Sequence, residues 1–318
     1  MQNILKYRRY LNKKVSDNNQ IYFGHQNYSV DNKGKYISFI KATKKFSPNL
    51  LIKEGGKRTK NFFRRNLKRK PLISIITVVY NGQKEIENTI KSVLLQNYDN
   101  TEYIIVDGGS SDGTISIIKK YDKYLDYWIS QKDKGTFDAW NKGIILSTGD
   151  YICFLNAGDY FTENALNLIV KKINQKKIDI IFSPVLKKKK FYGFYPKKIY
   201  SRLNIIPSFT STFVNKNIYK KYGLFNLNLK HFSDYEFIYR IINEKNLIWD
   251  TTDKNKIITV FDLKGGTSKL KILDLLKSEL KIRLKYESYI FVLIKIFLKY
   301  IRFYYIKIFE KKKFDKYN

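Results

Sequence analysis

The stretch Leu72–Tyr80 (LISIITVVY) constrains the fold more than any other. It is nearly all apolar and rich in β-branched residues, so it reads as a strand covered on both faces. Asn81–Gly82 is a turn, after which Ile86, Ile90, Val93 and Leu94 recur on one helical face. Tyr103–Val106 is a second strand running into DGGSSDGT (residues 107–114), where Ser111 or Asp112 is placed to cap the helix begun by Ile115, Ile118 and Tyr121. Tyr127–Ser130 is a third strand, followed by the helical face Phe137, Trp140, Ile144 and Ile145. Tyr151–Leu155 is a fourth, after which Thr162 is placed to cap a helix carrying Leu166, Ile169, Val170 and Ile173. Ile178–Ser183 is a fifth strand. Strands alternating with helices imply an α/β fold with a mostly parallel sheet and right-handed crossovers. In such sheets ligands bind beyond the carboxyl ends of the strands.

Those ends are polar. Tyr80 and Asn81 follow the first strand, Asp107 the second, Asp133 the third and Asn156–Asp159 the fourth. In Asp107–Thr114 a carboxylate after a strand can accept hydrogen bonds from a base or ribose, and Gly109 lets the backbone approach a ligand. Taken alone, the same residues make a tight turn and a helix cap. Asn156-Ala-Gly-Asp159 presents oxygens to a hard cation, and Mg²⁺ or Mn²⁺ binds such sites with one or two carboxylates plus substrate phosphates; an ordinary Gly-Asp turn is the plain alternative. Asp133-Lys-Gly-Thr-Phe-Asp138 brings Gly135 to a helix start whose free N–H groups favour anions, with Lys134 or Lys142 within reach of a phosphate. Asp234, on the apolar side of a helix in Ser233–Asn243, is either a cap or a base aimed into a cleft. Glu236 and Arg240 form an i, i+4 pair of structural type.

Composition bounds the function. One cysteine, Cys153, excludes an internal disulfide, and His25 and His231 are too few for a zinc cluster. The formal net charge of +33 suits a polyanion partner, nucleic acid or an anionic membrane, or reflects AT-rich codon usage, since Lys far outnumbers Arg. The polar N-terminus has no apolar signal-peptide core, so a cytoplasmic location is the expectation. Residues 1–70 read as a basic extension whose closing run (Lys57, Arg58, Lys60, Arg64, Arg65, Lys68, Arg69, Lys70) forms a solvated face. Residues 71–270 read as the main domain and 271–318 as a helical, basic-aromatic tail. Within the tail, Tyr289–Phe309 is apolar but interrupted by Lys295, Lys299, Arg302 and Lys307, which suits a helix lying in a membrane surface or packed on a protein better than one spanning a bilayer.

In this order, ISIITVVYNG, IIVDGGSSDGT, DKGTFDAWNKGI and STGDYICFLNAGD resemble family-2 glycosyltransferases of the GT-A fold, above all bacterial enzymes of surface-polysaccharide synthesis. The likeness spans about residues 72–270. It implies that Val78, Tyr80 and Asn81 lie where the first strand meets a nucleobase and that Asp107 and Gly109 border that base. It implies that Asp133, Gly135, Asp138 and Asn141 hold the donor's sugar and diphosphate. Asp159, with Asn156, falls on the metal-binding turn, and Asp234 falls on the general base of inverting members. The expected donor is a nucleoside-diphosphate sugar, a UDP-sugar first among them, with Mn²⁺ or Mg²⁺. The expected acceptor is a glycan, lipid-linked, at the inner face of the cytoplasmic membrane. The turn holds fewer acids than the family's pattern, which leaves a catalytically degenerate binding module as an alternative. No QxxRW motif of processive synthases appears. A nucleic-acid-binding protein is favoured by charge alone, and acids at the strand ends argue against it.

Overall fold

The computed structural model describes residues 20–23, 26–29, 53–64, 70–187, 190–192, 209–229, 231–241, 244, 246–253, 256–261, 272–294 and 297. His25, Arg65, Lys68, Arg69, Ile242, Asn243 and the tail residues Lys295, Lys299, Arg302 and Lys307 lie outside them. Gln20–Phe23 (β1) and Gln26–Ser29 (β2) pair as an antiparallel hairpin. The main body runs Lys53–Gly55 (β3), Ile73–Val79 (β4), Ile86–Leu94 (α1), Thr101–Asp107 (β5), Thr114–Lys120 (α2), Tyr127–Ser130 (β6) and Thr136–Leu146 (α3). It continues with Tyr151–Phe154 (β7), Tyr160–Phe161 (β8), Ala165–Gln175 (α4), Ile180–Phe182 (β9), Val185–Lys187 (β10), Lys190–Tyr192 (β11) and Thr212–Asn215 (β12). Lys216–Tyr222 (α5), Ser233–Ile241 (α6), Trp249–Thr251 (β13), Thr259–Phe261 (β14) and Ile272–Arg283 (α7) complete it.

The central sheet has the order β13-β9-β12-β7-β4-β5-β6-β3. Its heart, β7-β4-β5-β6, is parallel as the sequence implies. β4 is buried along its whole length because its side chains alternate between two cores. Ile73, Ile75 and Val79 meet Ile86 and Ile90 of α1 on one face, and Ile76 and Val78 meet Trp140 and Ile144 of α3 on the other. Each such buried side chain contributes roughly 1.5–3 kcal/mol. A smaller sheet, β11-β10-β14-β8, begins at Tyr160, directly after the Asn156–Asp159 turn.

Some expectations change. β12 inserts antiparallel between β7 and β9. Thr162 does not cap α4; its hydroxyl donates to the Ile257 carbonyl (2.7 Å), and Asn164, in the left-handed region, opens the helix. The basic run before Pro71 is not wholly a solvated face. β3 pairs antiparallel with β6 at the sheet edge, and Arg58 lies buried against Glu102, which is itself fully enclosed. Arg58 also donates to the Leu146 carbonyl (2.6 Å), and Glu102 accepts from Ser74 and from the Thr148 N–H (2.8 Å). A charge beside a buried partner gains more than it would in water.

Candidate active site

The strand ends that the sequence marks as polar are stitched to one another by backbone bonds. The Gly108 N–H donates to the Val79 carbonyl (2.8 Å), the Ala157 N–H to Val78 (3.1 Å) and the Gln131 N–H to Asp107 (2.9 Å). Loops from β4, β5, β6 and β7 therefore meet at the carboxyl ends of the parallel strands. Val78 is buried there, whereas Tyr80 is 66% exposed. Asn81 takes a positive φ of 50°, accepts from the Ser111 N–H (2.9 Å) and donates its own N–H to Ser110 Oγ (2.8 Å).

Asp107 is buried and committed to its own surroundings. Its Oδ2 accepts from the N–H groups of Gly109 (3.0 Å) and Ser110 (2.9 Å) and from Ser130 Oγ (2.7 Å), and its Oδ1 accepts from Ser110 Oγ. Asp107 thus shapes the turn that the sequence also allowed. A side chain at Gly108 would strike the Asp133 carboxylate at 2.6 Å, so the missing Cβ lets the β5 and β6 loops close on each other. Gly109 sits at φ 84° against the backbone of Lys132.

The β6 loop feeds the N-terminus of α3. Asp133 accepts from the Gly135 N–H (2.8 Å) and Asp138 from the Lys134 N–H (3.0 Å). Burial raises the Asp133 carboxyl above the usual carboxylate range; the Gly135 N–H and Lys142 oppose that, and Asp138 and Asp107 add to it. Gly135, at φ 112°, has open space where a Cβ would point. Lys142 is buried beside Asp138 (3.5 Å) and donates to the Lys132 carbonyl (3.2 Å), which ties it to the loop. Asn141 is likewise committed: its amide donates to the Phe225 carbonyl and accepts from the Phe225 N–H, both at 3.0 Å. It positions the segment after α5.

The β7 turn is bound to α1. Thr89 Oγ1 donates to the Asp159 carbonyl (2.8 Å) and accepts from the Gly158 N–H (3.0 Å). Asp159 is 3% exposed, and Asn156 Oδ1 accepts from Trp140 Nε1 (3.1 Å). Among the described residues no group of three or more His, Cys, Asp or Glu side chains is placed to hold a metal. Hard oxygens from Asp159 and Asn156 fit a cation that takes its remaining ligands from a diphosphate.

Asp234 stands on the first turn of α6, half-buried, with Oδ1 accepting from the Tyr235 N–H (2.9 Å). Burial raises its carboxyl, against the pull of that N–H. Among the described residues it shares no hydrogen bond with the strand-end loops. A chain of rings connects them instead. Trp140, bonded to Asn156, packs on Phe225 (5.3 Å between centroids), and Phe225 packs on Phe237 of α6 (5.2 Å).

Sequence reasoning missed Gln131. It is 2% exposed directly after β6, and among the described residues neither its Oε1 nor its Nε2 has a partner. Only burial reveals it, because an amide after a strand carries no periodic signal.

The model of the family described as Glycosyl transferase family 2 matches residues 74–245. The chain is 39% identical over 101 residues to the putative teichuronic acid biosynthesis glycosyltransferase TuaG of Bacillus subtilis, covering 30% of this chain and 40% of that one. It is 29% identical over 196 residues to the uncharacterized glycosyltransferase RT0329 of Rickettsia typhi, covering 57% and 61%. The chain thus spans less than two thirds of the length of these relatives. Among solved structures it resembles S. aureus TarS 1-349 in complex with UDP-GlcNAc, with a TM-score of 0.54 at 18% identity over 67% of this chain and 65% of that one. It also resembles the mannosyltransferase PcManGT from Pyrobaculum calidifontis in complex with GDP-Man and Mn2+, with a TM-score of 0.50 at 17% identity over 77% and 69%. At those identities the likeness is one of fold. The family match covers more than half of the chain and falls on the strands and loops that carry these residues, and on that ground the chain belongs to glycosyl transferase family 2.

Proposed function

We propose that the chain is an inverting, non-processive glycosyltransferase that moves a sugar from a nucleoside-diphosphate sugar to a lipid-linked glycan at an anionic membrane surface, in cell-surface polysaccharide synthesis. The observation that carries this reading is the convergence of four strand-end loops, with their acids and glycines, on the open N-terminus of α3. TarS and PcManGT, which share the fold, are seen with UDP-GlcNAc and with GDP-Man and Mn2+. TuaG, similar in sequence, is named a putative teichuronic acid biosynthesis glycosyltransferase.

Exposed Tyr80 offers a ring on which a base can stack. Gln131, with a buried donor and acceptor both unmet, reads the edge of that base, since a polar group buried without a partner is costly until a ligand satisfies it. The first-turn N–H groups of α3 face the diphosphate. Asp159 and Asn156 would hold Mn²⁺ or Mg²⁺ jointly with that diphosphate, and the cation offsets charge on the leaving group. Asp234 takes the proton of an acceptor hydroxyl. The hydroxyl oxygen forms a bond to the anomeric carbon as the bond from that carbon to the diphosphate breaks. The nucleoside diphosphate departs with the electron pair.

Thermal-shift titration with UDP, GDP, CDP and ADP, with and without Mn²⁺, tests the reading. A shift with one nucleotide that strengthens with the metal supports it. A folded protein that responds to none of them returns the chain to the binding-module alternative.

A further inference from the structure

α7 and the residues after it present two unlike faces. Glu279 and Arg283 are buried, and with Glu287, one helical turn further on, they are turned toward α6. Lys277, Lys281 and Lys285, at the same spacing, are exposed. Directly beyond this lysine stripe, Tyr289, Ile290, Phe291, Leu293, Ile294 and Phe297 are open to solvent, Ile290 by 70%. Large apolar side chains beside a row of lysines match an anionic bilayer, which takes the former at its acyl boundary and the latter among its headgroups.

The inner face reaches the helix that carries Asp234. The Tyr235 hydroxyl donates to Glu279 (3.2 Å), and Arg283 Nε donates to the same carboxylate (2.8 Å). Arg283 Nη1 donates to the Tyr239 hydroxyl (3.1 Å), which in turn donates to Glu287. The rings of Tyr235 and Tyr239 stack at 5.4 Å, with the Arg283 guanidinium over both. The Tyr286 hydroxyl donates to Glu236 (2.6 Å). Tyr235 is the residue next to Asp234, so the network grips the first turns of α6. A buried polar network of this kind is rigid while satisfied and responds as a unit when one member shifts.

We infer that this arm seats on an anionic lipid surface through Lys277, Lys281, Lys285 and the apolar residues that follow, and that seating is linked through Glu279, Arg283, Tyr235 and Tyr239 to the setting of Asp234. Lipid and catalytic helix then bias each other equally, as linkage requires. The role of Asp234 as base rests on the proposed function; the link between the arm and α6 does not.

The test uses the full chain without nucleotide, with vesicles of phosphatidylcholine alone or mixed with phosphatidylglycerol. Flotation reads docking, and hydrogen exchange over residues 233–241 in the same samples reads the link. The chain is expected to float with the anionic vesicles only and to change its exchange in α6 when it does. A lysine near an anionic leaflet contributes roughly fivefold to partitioning, so the combined Lys277→Glu, Lys281→Glu and Lys285→Glu variant should bind on the order of 100-fold more weakly. Arg283→Gln, or Tyr235→Phe should the former fail to fold, should float like the parent while losing the response in α6. Equal flotation with both vesicles, or undiminished binding by the triple variant, overturns the docking surface. Flotation with unchanged exchange in α6 overturns the link. The nucleotide titration is run without lipid, so a failed donor site and a failed arm give separate results.

Discussion

Asp234 lies two residues after Phe232, whose φ of 64° is a region that bulky side chains rarely enter. Its carboxyl is raised first by burial, and the sign of the pH response follows. The ionised form is the base, so turnover should climb as pH rises through the raised value. Stability should move the other way, present at acid pH and lost as the buried group is forced to ionise. Asp234→Asn should therefore lower kcat by ~10²–10⁴-fold with nucleotide binding kept, and it should gain stability over the parent as pH rises. A kcat–pH profile with denaturant melts at acid and neutral pH checks both, and an unchanged kcat removes Asp234 from the chemistry. For Gln131→Leu the expected result is a nucleotide site that still holds the diphosphate but loses about tenfold or more of its preference among bases. Calorimetric titration with the same diphosphates decides; a uniform loss for all of them would make Gln131 structural.

At the level of elements, what was legible in the sequence depended on where the stabilising contacts come from. β4 declares itself because both of its faces are apolar. β3, with the sequence KEG, does not, because it is held by its ladder to β6 and by Arg58 next to it. Burial alone would raise the Glu102 carboxyl, but Arg58, Ser74 and Thr148 outweigh it and hold the group below the usual range. Arg58→Ala should cost about 3–5 kcal/mol by stranding a buried charge. The stability from this pairing should be present at neutral pH and disappear as pH falls through the lowered value. Urea unfolding from neutral to acid pH, parent against variant, measures it, and parallel curves would refute it. The candidate site divides in the same way. Asp107, Asp133, Asp159 and Asp234 stand in motifs and could be named from spacing and resemblance. The internal duties of Asn141 and Lys142 could not, because Phe225 lies 84 residues from Asn141 and only the folded chain brings them together. The grip of Glu279 on Tyr235, 44 residues apart, was hidden for the same reason.

Across the whole molecule, 61 basic against 28 acidic side chains give a field that attracts any polyanion. Duplex DNA should therefore bind, with affinity falling steeply as salt rises, and UDP with Mn²⁺ should not compete for it. Fluorescence anisotropy over a salt series checks this; displacement of DNA by the nucleotide would place both on one surface.

The antiparallel seam between β3 and β6 also has a consequence in time. Arg58 precedes Glu102 by 44 residues and Gly56 precedes its partner Asp122 by 66, so during synthesis the strap is made well before anything exists for it to bind. At ~5–20 residues per second a ribosome leaves it waiting for several seconds. The edge of β6 is then closed by a segment translated well before it. Until it closes, a nascent chain carries an unsealed sheet margin open to other strands. Crowded polysomes, more than the finished protein, are where a lesion in this strap should first be felt, as aggregation during translation.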